Sequence, residues 1–308
     1  MRWADAFIAA DWGTTNRRAY LLDGDGNCVD EFEDDKGILS VGKDGFGKDG
    51  FGKDGFGKAV GQIRERLGDK PLLLAGMVGS NRGWIEAPYV PCPAGLDDLT
   101  AALVWPEEGR TAIVPGVSLV DPDEADVMRG EEVQLLGAFA AGLVSPDALV
   151  CHPGTHNKWA RLLGGKIARF MTVMTGELFN LLKGHSILSD LLSRPVEPDE
   201  AFAHGVRHAL ANDCLTAELF KIRARVLLGQ ANAEDASSYG SGLLIGTDVR
   251  TGLREGSDSE IVVMGRPELT RLYAEALRIA GRQPREVDGE RAFLAGARKI
   301  VELIDERS

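Results

Sequence analysis

Short apolar runs separated by glycine-rich turns set the pattern of the first forty positions. Phe7-Ile8-Ala9-Ala10 is unbroken apolar sequence ending at Asp11, which predicts a buried strand. Arg18–Leu22 predicts a second strand and Cys28–Glu33 a third, with turn chemistry at Gly24-Asp25-Gly26-Asn27. The chain therefore opens as a β-meander, unlike the βαβ start of a dinucleotide-binding domain. Pro71–Ala75 predicts another buried strand, running into the glycine-rich loop 76–84. Thr111–Val114 is a strand closed by Pro115-Gly116, and Val133, Leu136, Phe139 and Ala140 give 131–141 a helical period. Ser145-Pro146-Asp147 then breaks the chain.

Beyond the break the meander returns, with strands at 148–151, 159–163 and 166–170 and a Gly164-Gly165 turn. A helical block over 175–249, a strand at 261–265, a helix at 269–280, a short strand at 285–287 and a closing helix at 291–304 complete the pattern. Two domains are expected, 1–145 and 146–308, the second carrying the helical insertion.

One stretch fits no element. From Gly42 the pentapeptide Gly-Lys-Asp-Gly-Phe occurs three times, and Gly57-Lys58 begins a fourth copy. Five is neither a helical nor a strand period, and glycine at two positions in five resists ordering. The run 42–58 is expected to be a mobile surface loop followed by a helix over 58–67. Removing two copies, 47–56, is expected to cost little. Calcium binding is disfavoured, because too few carboxylates fall in each repeat.

The two meanders align at an offset of 141. Ile8–Leu22 and Leu149–Leu163 are identical at six of fifteen positions, including Gly13/Gly154, Thr14/Thr155 and Asn16/Asn157, while Arg17/Lys158 keeps a cation. A strand–Gly-Thr-turn–strand unit has been used twice. Glycine after a strand brings backbone N–H groups close to an anion, and the following Thr adds a hydroxyl donor. Two such hairpins facing each other across a cleft would clamp a polyphosphate. A single Gly-Thr is most often an ordinary hairpin turn; two matched copies shift the balance towards phosphate.

Composition narrows the field. The chain has 308 residues and a formal net charge of −12, so non-specific nucleic-acid binding is disfavoured. No polybasic cluster or 18-residue apolar stretch suggests a membrane. Four cysteines without a CxxC pair fit free thiols in a cytoplasmic protein. His204 and His208 have zinc-ligand spacing on a predicted helix, but the Glu of H-E-x-x-H is missing, and a solvated helix face is the favoured reading.

Asp11-Trp12-Gly13-Thr14-Thr15-Asn16 resembles the first phosphate hairpin of the actin/hexokinase/Hsp70 superfamily, Gly154-Thr155-His156 the second, and Val262–Gly265 its adenosine-site strand. More closely, Ala75–Asn81, Val127–Glu132, Pro153–Trp159 and Thr172–Leu178 resemble the 2-dehydro-3-deoxygalactonokinase family, in the family's order and from about residue 7 onward. The resemblance implies an α/β fold of two duplicated actin-like ATPase (ribonuclease H-like) domains with a cleft between them. It implies an ATP- and Mg²⁺-dependent kinase of galactonate degradation, acting on the terminal 6-hydroxyl of 2-dehydro-3-deoxy-D-galactonate. Two departures stand out: the pentapeptide run, and His152 where the superfamily's second hairpin commonly has Asp.

On this resemblance Asp11 is expected to hold Mg²⁺, and Glu131, at a helix start, to accept the hydroxyl proton, with Asp11 its rival. Both Glu131 and Glu132 would also complement a helix dipole. Glu132, about 100° further round the helix, is expected to be the tolerant neighbour. Gly13, Thr14, Thr15, Asn16, Gly154, Thr155, His156 and Lys158 are expected at the ATP phosphates and Gly265 at the adenosine. Ser80, Asn81, Arg82, Trp84, Arg129, Thr175 and Glu177 are the sugar-acid candidates, either arginine pairing with the substrate carboxylate. The C4-epimeric gluconate-derived acid is the alternative substrate. An ATP-binding switch of the actin/Hsp70 kind and an exopolyphosphatase-like phosphohydrolase are the non-kinase readings. The oligomeric state is unread, a homo-oligomer included.

Overall fold

The computed structural model describes residues 3–44, 54–121, 124–255 and 260–307. Residues 1–144, 165–169 and 290–308 form one compact unit, and residues 145–164 with 170–289 form the other.

The first unit contains β1 (Ala6–Trp12), β2 (Arg17–Asp23), β3 (Cys28–Asp34), α1 (Ile38–Asp44), α2 (Asp54–Leu67), β4 (Leu72–Gly76), β5 (Tyr89–Pro91), α3 (Leu96–Ala101), β6 (Val104–Glu107), β7 (Thr111–Ile113), β8 (Gly116–Val120), β9 (Ala125–Met128) and α4 (Glu131–Ala140). Its main sheet has the order β3-β2-β1-β4-β7-β6. Strand β1 pairs antiparallel with β2 and parallel with β4, which runs parallel with β7. Phe7 through Ala10 and all of β4 are buried, as unbroken apolar runs require of strands covered on both faces.

The second unit contains β10 (Ala148–His152), β11 (Asn157–Leu163), the part of β12 (Lys166–Val173) from Phe170 on, α5 (Thr175–His185), α6 (Glu200–Ala211), α7 (Leu215–Leu227), α8 (Ala236–Gly252), β13 (Glu260–Gly265), α9 (Pro267–Ile279) and β14 (Arg285–Asp288). The sheet order is β12-β11-β10-β13-β14, with β10, β13 and β14 parallel. The progression β3-β2-β1-β4-β7 follows the same rule, so the duplicated hairpin sequence sits inside a duplicated topology. The fold is mixed α/β.

Two expectations change. The closing helix α10 (Gly289–Arg307) was expected with the second half, yet from Glu290 on it belongs to the first unit. There Gly137 of α4 and Gly296 of α10 meet so closely that a Cβ at Gly137 would fall 2.1 Å from the Ala292 carbonyl oxygen. Tyr20 donates to Glu290 at 3.0 Å and the Trp3 backbone N–H to Asp305 at 3.1 Å. The end of the pentapeptide run also departs from a loop, for α2 begins inside it at Asp54. Phe56 is buried and lies 5.6 Å from the Trp12 ring. An apolar ring every fifth residue becomes a core residue once one copy joins a helix, so removing 47–56 would reach the core. Residues 45–53 of the run lie outside the described residues.

Strands β5, β8 and β9 form a separate three-stranded sheet that the pattern did not predict. They span three to five residues, too few for an alternation to register.

Candidate active site

In the first unit the sequence brings a carboxylate to a strand end and clears the space around it. Asp11 pairs with Arg18 on one side and Ala75 on the other, near the carboxyl end of β1. Gly76 ends β4 at φ +90°, where a Cβ would lie 2.8 Å from the Trp12 carbonyl oxygen and 3.2 Å from Asp11 Oδ1. Gly130, at φ +110°, packs on Gly76, and a Cβ there would stand 4.0 Å from the same oxygen. Both positions need the left-handed backbone that glycine tolerates. The loop Gly13–Asn16 is closed by Gly13 N–H to the Asn16 carbonyl (2.9 Å) and held from outside by Gly37 N–H to the Thr15 carbonyl (2.9 Å). Thr14, Thr15 and Asn16 remain exposed at its tip.

Helix α4 starts directly after Gly130. Glu131 Oε2 accepts the Arg129 N–H at 3.1 Å and is only half-buried. Glu132 is fully buried: its Oε2 accepts the Gly130 N–H at 2.6 Å and its Oε1 has no partner among the described residues. Burial first, then the Glu131 charge, pushes the Glu132 carboxyl up to about 8, against the pull of backbone N–H groups and Arg129. A tolerant neighbour would be exposed, so that expectation gives way. Arg129 is buried too, its guanidinium 4.3 Å from the centre of the Tyr89 ring and donating to the Ala87 carbonyl at 2.8 Å. On the loop after β4, the Ser80 hydroxyl donates to the Met77 carbonyl at 2.7 Å. Asn81 and Arg82 are exposed, and Trp84 is half-buried against the core.

In the second unit the hairpin turn is gripped by the start of α5. A Cβ at Gly176 would lie 2.4 Å from the Gly154 carbonyl oxygen, and the Glu177 N–H donates to the Thr155 carbonyl at 2.9 Å. His156 Nε2 and Glu177 Oε2 stand 2.5 Å apart, both partly exposed. Gly265, at φ +155°, closes β13 with the Pro153 carbonyl oxygen 3.5 Å from where its Cβ would be.

Two site residues, and the cation matched to one of them, have internal partners. Lys158 is buried, and its ammonium donates to Thr172 Oγ1 on β12 at 2.6 Å. The buried Thr175 hydroxyl donates to Asp248. Arg17, the cation matched to Lys158, forks onto Asp34 at 3.2 and 2.6 Å and stacks on Trp12. The Lys158 contact departs from its expected place at the phosphates.

Asp248, on α8, was missed. Beyond Thr175, it accepts from Asn157 Nδ2 (3.0 Å to each oxygen), Trp159 Nε1 (2.7 Å) and the Tyr273 hydroxyl (2.6 Å). Burial raises its pKa above the ordinary carboxylate value while those donors oppose the shift. A lone Asp 91 residues from Asn157 carries no sequence signal of such a hub.

His208 Nε2 lies 2.6 Å from Glu218 Oε2, and the His204 ring packs edge-on to Tyr239. Among the described residues no three His, Cys, Asp or Glu side chains cluster to hold a metal, and no helix is long and apolar enough to cross a membrane.

The family model for 2-keto-3-deoxy-galactonokinase matches residues 11–300. A probable 2-dehydro-3-deoxygalactonokinase of Rhizobium meliloti (strain 1021) is 37% identical over 303 residues, covering 96% of each chain. The 2-dehydro-3-deoxygalactonokinase of Escherichia coli (strain K12) is 34% identical over 97% of this chain and 98% of its own. A crystal structure from Sinorhizobium meliloti, whose protein carries the 2-dehydro-3-deoxygalactonokinase designation provisionally, superposes with a TM-score of 0.86 at 35% identity, over 97% of this chain and 99% of that one.

Proposed function

Because the chain belongs to the 2-keto-3-deoxy-galactonokinase family, we propose that it transfers the γ-phosphoryl group of ATP to the terminal 6-hydroxyl of 2-dehydro-3-deoxy-D-galactonate. It is a sugar-acid kinase, a phosphotransferase with an alcohol acceptor, and we read it as a cytoplasmic one. The observation that supports the site assignment is the meeting of Asp11, Gly76 and Gly130 just ahead of the α4 carboxylates.

Phosphoryl transfer asks a protein mainly for positioning and for stabilisation of spreading negative charge. The backbone N–H groups of the turns at Gly13–Asn16 and Gly154–His156 are read as the phosphate contacts, with the hydroxyls of Thr14, Thr15 and Thr155 at the exposed tips. Gly265 is read at the adenosine. Asp11 fits Mg²⁺ by the chemistry of its oxygens and by the space that two glycines leave beside Oδ1. A single carboxylate suffices, because Mg²⁺ bound to a nucleotide takes most ligands from phosphate and water. When bound, the ion would neutralise charge on the phosphates. Glu131, the more exposed of the two α4 carboxylates, is read as the proton acceptor for the sugar hydroxyl, with Asp11 its rival. Asn81, Arg82 and Glu177 remain sugar-acid candidates.

A coupled ADP-release assay with each C4 epimer of the 2-keto-3-deoxy acid tests the reading. Release that depends on the galactonate-derived acid, with a higher kcat/KM than its epimer, is the expected result. Preference for the gluconate-derived acid would overturn the substrate, and release independent of either acid would overturn the kinase.

A further inference from the structure

The two grips on the second hairpin end on one carboxylate. At the neck, Cys151 on β10 donates to Asn157 Oδ1 at 3.5 Å, and Asn157 Nδ2 spans both oxygens of Asp248. On the outer side, Thr175 donates to Asp248 Oδ2, and the next residue, Gly176, is the one pressed on Gly154. Tyr273 brings α9, the helix that follows Gly265, to the same oxygen. Asp248, Asn157, Thr175 and Tyr273 are all buried.

We infer that Asp248 is a positioning residue for ATP, fixing the second hairpin against the start of α5 through Asn157 and Thr175. The inference rests on the kinase reading, in which that hairpin's backbone meets the phosphates. Its physical basis is the donor count. Asn157 and Trp159 can only donate here, and the Thr175 and Tyr273 hydroxyls complete a shell in which the carboxylate accepts throughout. Asp248 joins the four elements β11, α5, α8 and α9 at one point, so loosening a spoke gives the turn more freedom relative to the α5 N-terminus, to which the Glu177 N–H also ties it through the Thr155 carbonyl. Asp248 itself is buried away from solvent and acts only through these neighbours.

The test uses spokes rather than the hub, because Asp248→Asn turns one acceptor into a donor facing other donors and invites misfolding. Thr175→Val keeps the shape and removes the hydroxyl; Thr175→Ser returns it. Tyr273→Phe is the independent second spoke. For each, KM for ATP and for the sugar acid are measured separately, alongside thermal unfolding and direct titration with a fluorescent ATP analogue. Each lost bond is a hydroxyl donation to a carboxylate, and because the residue acts on the nucleotide only through the hairpin, part of that loss reaches ATP, about a three- to ten-fold effect. The expected result is that Thr175→Val and Tyr273→Phe weaken ATP by that factor, leave the sugar KM within two-fold, and that Thr175→Ser restores the wild-type value. Unchanged nucleotide affinity in both folded variants overturns the inference, as does a parallel rise in both KM values. Absence of sugar-dependent ADP release by the wild-type protein overturns the kinase reading instead, and the analogue titration still judges the spokes.

Discussion

Glu132→Gln isolates the titration of one buried acid. The carboxyl goes from an ordinary 4.5 to about 8, chiefly because burial penalises its charge. A carboxyl whose pKa is higher in the folded than in the unfolded chain stabilises the fold in full below about 4.5, and that contribution fades as pH rises through 8. At ~1.4 kcal/mol per unit, the gap amounts to about 5 kcal/mol across the window, of which on the order of 3 kcal/mol is gone by pH 7. Glutamine cannot ionise, so the variant lacks this slope. Its amide oxygen can still accept the Gly130 N–H, while its NH₂ faces the place where Oε1 has no partner. An unsatisfied buried donor costs about 1–3 kcal/mol. The variant is therefore expected to be the less stable protein at pH 5 and to draw level with or pass the wild type by pH 8.5. Urea unfolding of both proteins at half-unit pH steps measures the difference directly. A stability difference that stays flat from pH 5 to pH 8.5 would refute the reasoning, since Glu132 would then titrate alike in folded and unfolded chains.

Three further outcomes follow from the packing and the site. Phe56→Ala should destabilise the protein by about 3–5 kcal/mol in denaturant unfolding, whereas deleting one copy, Gly47–Phe51, should change stability by less than about 1 kcal/mol because it retains the helical copy; equal losses would mean that Phe56 carries no special weight. Asp11→Asn should fold, by circular dichroism, but lose most of its kcat; near wild-type turnover at saturating Mg²⁺ would remove Asp11 from both its roles. Glu131→Gln should lower kcat by about 10²–10⁴ with ATP affinity within a few-fold, and full activity would move the proton acceptor to Asp11.

The strands that form the two sheet centres were legible because burial on both faces demands unbroken apolar runs such as Phe7–Ala10 and Leu72–Ala75. The hairpins were legible because the same turn chemistry occurs twice. What the sequence withheld depends on contacts across long separations. Asp248 reads as an ordinary helical aspartate until Asn157, Trp159, Thr175 and Tyr273 are seen around it. Lys158 reads as a phosphate cation because spacing does not reveal that Thr172, on the next strand, accepts from its ammonium. Glu131 and Glu132 are adjacent and identical in type, and only burial separates them. The small sheet of β5, β8 and β9 gives too short a pattern to find.

The glycine crossing of α4 with α10 carries a consequence for biosynthesis. Chains emerge from the ribosome from the N-terminus, and domains generally fold as units when their residues are available. Here α10, which belongs to the first unit from Glu290 on, packs against α4, whereas the second unit includes no described residue beyond 289. The half begun first is thus completed last. Until α10 is released, Val133 and its neighbours on α4 lack part of their cover, so a nascent or C-terminally clipped chain presents its N-terminal half as the aggregation-prone partner and its C-terminal half as the finished one.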